Sequence, residues 1–233
     1  MNRFIDPDLI ARTYRDPLAW LVLAVDLLPV FAVLVYGWGA TPLVALYWLE
    51  NLVVGLFTIF RMLATGLANA GFLLICLFVV PFFTVHYGMF CFVHGIFVQV
   101  FAGMASGQGD MGEPDPFGLV TWALGSGQAM VWFVTAIVGI NAVIFLTDFI
   151  GKGQYRETNP MAEMFSPYGR IVTLHVALIL GAFIAIGTGQ PLVGVLLLIL
   201  LRVAFGVLMS ARRRKKLEEE GTLPAATDFP QSV

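Results

Sequence analysis

From about residue 71 to residue 103 the chain contains no Asp, Glu, Lys or Arg, and it carries instead a dense succession of Leu, Val, Phe and Ile. Crossing a hydrocarbon core of ~30 Å takes about 20 apolar residues in a helix. No soluble domain buries a run of that length, so the segment predicts a transmembrane helix. Comparable runs at about 18–37, 42–64, 117–150, 168–187 and 190–211 bring the expected number of spans to about six. With 59% hydrophobic residues, 12% charged residues and a mean hydropathy of +0.87, the 233-residue chain has room for one helical bundle and no separate soluble domain. The fold class expected is therefore all-α, a polytopic bundle. The runs at 71–103 and 117–150 exceed one straight crossing, and the chain is expected to tilt, project beyond the bilayer, or bend at Pro81 and at residues 125–127, GSG.

Charge placement sets the orientation. Arg3, Arg12, Arg15, Arg61, Lys152, Arg156, Arg170 and the cluster Arg212 to Lys216 all fall on one side of a six-span arrangement, while GQGDMGEPDP at 107–116 falls on the other. By the positive-inside rule both termini are cytoplasmic. Residues 1–17 form an interfacial segment: Asp6 caps a short helix, and Ile5, Leu9, Ile10 and Tyr14 make its apolar stripe beside Arg12 and Arg15. No signal-peptide pattern is present, and this segment is expected to be retained. The bundle occupies 18–211, and 212–233 is a basic tail that becomes polar and disordered. In the loop at 151–170, Thr158-Asn159-Pro160 should start a short helix running to Phe165, and Arg156, Tyr168 and Arg170 are placed to meet lipid phosphates or close the cytoplasmic mouth. Cys76 and Cys91 lie fifteen residues apart in apolar runs, which suits free buried thiols. Internal repeats are absent, as are phosphate-loop, nucleophile-elbow and nucleic-acid motifs.

The polar residues at membrane depth carry whatever chemistry the chain has. Asp26, Glu50, Asn51, His86, His94, Gln99, Asn141, Asp148 and His175 fall within or near the expected spans. An ionisable group there costs between ~2.5 and more than 10 kcal/mol when left alone, so each needs a partner or must neutralise. At 1.5 Å per residue, Glu50 and His94 both come out at roughly 10 to 14 Å from the outer surface, whereas His86, His175, Asp26 and Asn141 share an inner layer. His86 and His94 diverge by about 80° on a straight helix, so the site has two tiers unless the helix distorts near Gly88 or Pro81. Tyr87 is placed to donate to Glu50, and Cys91 offers a thiol nearby. Imidazoles and a carboxylate suit a transition metal, zinc, iron or copper, with Glu50, His86, His94 and His175 as ligands and Asp26 and Asn141 behind them. Two histidines at equal depth also suit a haem. The competing readings are interhelical hydrogen bonding alone and a wet pathway for protons or ions.

The stretches WLEN (48–51), HYGMFCFVHG (86–95) and PYGRIVTLH (167–175) resemble a family of small bacterial integral membrane proteins to which no function is assigned, over about residues 45–210. The resemblance rests on the W-x-E-N and H-Y-G-x-F motifs. It implies an all-helical protein of the inner, cytoplasmic membrane and lends no reaction. The function expected is that of a membrane metalloprotein, open to redox or hydrolytic work on a lipid-soluble substrate. A proton or metal-ion carrier or channel is the alternative, and a structural subunit of a membrane complex the third. The expected partners are the lipid bilayer and either further copies of the chain or a larger membrane complex, with no nucleic acid.

Overall fold

The computed structural model describes residues 11, 13–14, 17–106 and 115–169, with 171–172, 199–200, 203–204, 206–208, 211 and 215. The expected spans at 168–187 and 190–211, the first residues of the interfacial helix and the tail lie wholly or largely outside them. Among the described residues every element is helical. The helices are α1 (Pro17–Tyr36), α2 (Ala40–Ala68), α3 (Leu73–Ser106), α4 (Pro116–Gly125), α5 (Met130–Ile144) and α6 (Pro160–Phe165). Among the described residues, four stretches are long and apolar enough to cross a membrane: Ala19–Tyr36, Ala40–Ala68, Ala70–Val100 and Met130–Gly151. The chain is an α-helical membrane protein.

Short turns fix the order of the helices. After α1 the backbone enters the left-handed region at Gly37, φ +64°, where a residue without Cβ pays no steric penalty, and the Gly37 N–H returns to the Val33 carbonyl at 3.1 Å. Trp38 then drops into the core beside Phe133, and its indole N–H reaches the Gln128 carbonyl at 3.1 Å. Between α2 and α3, the Asn69 side chain accepts from Gly71 N at 3.0 Å and closes a one-turn 3-10 helix, Ala70–Phe72. At the start of α4, Asp115 accepts from Phe117 N and Gly118 N with Pro116 in the first turn, the standard chemistry of a helix start.

One expected span is in fact two helices. The run at 117–150 breaks at Ser126–Ala129, where Ala129 takes a left-handed φ of +62° and Gly127 lies against Pro42 and the Trp38 ring, with no space for a side chain. Ten residues of α4 reach only about 15 Å, half of a hydrocarbon core. Leu119 and Ala123 pack instead into the cluster around Trp38, Leu43 and Met130, so α4 caps the end of the bundle at which α2 begins. From there α5 crosses and continues as a π-helical turn, Phe145–Gly151. The other expected irregularity is absent as a break: α3 runs through Pro81 as one helix of 34 residues, about 51 Å.

The buried centre is α2, which packs against α3, α4, α5 and α6. Its contact with α3 depends on three glycines. Gly95 of α3 receives the Trp48 ring, to which an added Cβ would approach within 2.7 Å; Gly55 of α2 receives the Tyr87 ring, and Gly66 receives Cys76. Between the Gly55–Tyr87 and Gly66–Cys76 contacts both helices advance eleven residues in opposite directions, about three turns, so the antiparallel pair holds its register. Small residues let backbones approach where lipid offers no hydrophobic gain for association. The threonines Thr58, Thr65, Thr84, Thr135 and Thr147 return their hydroxyls to carbonyls four residues back and ask nothing of neighbouring helices.

Candidate functional site

Two polar regions mark the length of the α2–α3 pair. Nearer the Trp38 end, the Trp48 indole donates to the Cys91 carbonyl at 2.8 Å and the Tyr87 hydroxyl to the Asn51 carbonyl at 2.8 Å. Glu50 lies between Trp48 and Asn51 on one helix and His94 three residues beyond Cys91 on the other, and both are buried, at 2% and 7% exposure. Tyr87 was the expected donor to Glu50. The hydrogen bond it makes to Asn51 O follows from helix geometry, because Asn51 lies on the α3 side of α2 while Glu50 stands about 140° round the helix from Gly55, which the Tyr87 ring contacts.

Glu50 therefore faces away from α3. Its carboxylate and the His94 imidazole share a level, as the depth count predicted, but any group that joins them has to come from a third element. Met164, Tyr168 and Ile171 pack with Met62, Val79, Phe83, Tyr87 and Cys91 on the α2–α3 pair. Asn51 Oδ1, in the same region, is buried with no hydrogen-bond partner among the described residues.

Among the described residues, the predicted inner layer does not converge. His86 is exposed and stacks on Phe82, ring centroids 5.5 Å apart and planes within 7°. Asn141 donates to the Ile137 carbonyl of its own helix at 2.8 Å. Asp26 is buried on α1 with its carboxylate against Gly206, where a Cβ would collide with it. Equal depth had grouped these residues, and their angular positions separate them. His175 lies outside the described residues. Among the described residues no three His, Cys, Asp or Glu side chains stand close enough together to hold a metal ion.

At the opposite end, Arg61 Nε meets Glu163 Oε2 at 2.6 Å, Thr158 donates to Glu163 Oε1 at 2.9 Å, and the guanidinium sits 4.3 Å over the Phe149 ring. Asp148 and Lys152 pair at 2.7 Å one turn away. The π-helical turn sets this up: it buries Asp148 and Phe149 together and brings Phe149 beneath Arg61. The short α6 begins as predicted, Asn159 Oδ1 accepting from Ala162 N, and delivers Glu163 to Arg61. Sequence reasoning did not find Glu163 as the partner of Arg61. The available signal was a lone acid in the first turn of a capped helix, close to the same bilayer surface.

A family of unknown function, DUF6498, matches residues 8–222, and the chain belongs to that family. No curated protein and no solved structure matches the chain significantly.

Proposed function

We propose that the chain is a metalloprotein of a bacterial cytoplasmic membrane, holding a transition metal inside the bundle between Glu50, His94 and His175. The observation that carries the reading is the burial of a carboxylate and an imidazole at one level of two adjacent membrane helices. On the helix expected over 168–187, His175 lies seven residues, about 10 Å, beyond Tyr168. Tyr168 stands beside His86, ring centroids 6.5 Å apart, and His94 lies eight residues, about 12 Å, beyond His86 in the same direction. That count supports His175 at the level of His94 rather than of His86. His86, on the exposed side of α3, leaves the ligand set. Nitrogen and carboxylate donors of this kind suit zinc, iron or copper, and a histidine pair suits haem.

Elemental analysis and an absorption spectrum of detergent-purified protein test the proposal. We expect about one equivalent of metal per chain, lost in Glu50→Gln, His94→Ala and His175→Ala and kept in His86→Ala. Absence of zinc, iron, copper and a Soret band from the wild-type protein refutes it. A carrier for protons or metal ions is the second reading, favoured by the unpartnered Asn51 Oδ1 in the same buried region. Flux into proteoliposomes that fails in Glu50→Gln, from protein that retains no tight metal, selects that reading.

A further inference from the structure

His86 breaks the habit of the other polar residues in these helices. Its ring is exposed on α3, and neither it nor the Tyr168 hydroxyl beside it has a hydrogen-bond partner among the described residues. The two groups sit in a wall of aromatic rings: Phe78 stacks on Phe82 at 5.9 Å, Phe82 on His86 at 5.5 Å, and Phe165 leans on Tyr168 at 5.9 Å. Next in sequence to His86, Tyr87 contacts Gly55, which is six residues, about 9 Å, along α2 from the Arg61 ion pair. This places His86 inside the apolar layer, below the level at which charged groups are paired.

An imidazole at that depth, open to lipid, loses its water hydrogen bonds and gains nothing from acyl chains. A phosphate headgroup would have to leave the interface to reach it, at the cost of burying charge. A neutral flat ring with an oxygen at its edge meets both demands: it stacks against Phe82 and Phe165, and it can accept from the imidazole and from the phenol. We propose that the face formed by Phe82, His86, Phe165 and Tyr168 is a binding site, open sideways to the bilayer, for a neutral lipid-soluble ring bearing hydrogen-bonding oxygens, of the quinone or phenol class. This site is separate from the Glu50–His94 region and does not depend on a metal there.

Decylubiquinone titrated calorimetrically into full-length protein in detergent micelles tests the proposal. Saturable binding above that of empty micelles is expected. His86→Phe keeps the ring stack and removes both nitrogens, and it should weaken binding by about tenfold, the scale of one hydrogen bond made away from water. Tyr168→Phe should weaken it by a few fold, while His86→Gln, which restores a donor and an acceptor, should recover most of the affinity. Glu50→Gln and His94→Ala should bind as the wild type does, which separates this site from the metal reading. Three outcomes overturn the proposal: no saturable binding by the wild type, an unchanged affinity in a folded His86→Phe, or rapid disulfide cross-linking between copies of His86→Cys in membranes, which would show that a second copy covers the face.

Discussion

Where α2 and α3 pass the level of Trp48 and Tyr87, indole and phenol hydrogens go to main-chain carbonyls, whereas at Arg61 a guanidinium meets a carboxylate that a threonine also holds. The first arrangement uses neutral donors and acceptors that helices already carry, and it removes no charge from water. The second uses full charges near the end of the bundle, where Arg61 keeps 31% of its side chain exposed. Depth accounts for the difference. Moving an ion pair into the hydrocarbon layer costs several kcal/mol per ion in desolvation, and the attraction offsets this only with complete hydrogen bonding. Against that background Glu50 and His94 are ionisable side chains buried at the level of neutral bonding.

The sharpest way to break the comparison is to separate the helices. Gly55→Leu drives a side chain into the Tyr87 ring and should cost about 3 kcal/mol or more, overpacking at a contact that cannot relax without losing register. Size-exclusion profiles and thermal unfolding in detergent would show loss of monodisperse protein. At the charged end, Glu163→Ala should cost about 1 to 2 kcal/mol, less than a fully buried pair because solvent screens Arg61. Adding Arg61→Ala should recover part of that loss, and a double-mutant cycle measures how much. The cost should fall in high salt if the contact is electrostatic.

Tyr87→Phe removes the neutral hydrogen bond to the Asn51 carbonyl and should cost about 1 kcal/mol or somewhat more without salt dependence. Equal salt sensitivity of Tyr87→Phe and Glu163→Ala would contradict the division drawn between the two regions. His86→Ala should change stability by no more than about 0.5 kcal/mol, since His86 contributes no hydrogen bond and little burial to the fold. A large loss there would place the residue in the packing of the protein and not in a site facing lipid.

Much of the fold was legible because long apolar runs admit few structures in a bilayer. The starts of α2 and α3, the capped helix after Asn159 and the placement of the described cations Arg61, Lys152 and Arg156 toward one end all follow from local residues. The break at Ser126–Ala129 was half legible: GSG announced a bend, but the left-handed Ala129 and the fit of Gly127 under Trp38 depend on contacts with a distant turn. The candidate site was less legible. Depth along a helix can be counted at 1.5 Å per residue, and the shared level of Glu50 and His94 came from that count. Which way each side chain faces required the neighbouring helix to be in place.

By itself, then, the sequence determined that the chain is a helical membrane protein, where its first three crossings begin and which ionisable groups enter the apolar layer, because hydrophobic length and charge position are local properties. Tertiary structure alone decided that Tyr87 donates to the Asn51 carbonyl, that Arg61 belongs to Glu163, and that α4 caps the bundle and does not cross. Those outcomes depend on the rotation and register of packed helices. Rotation and register are set by which glycine admits which ring, a pairing between segments tens of residues apart.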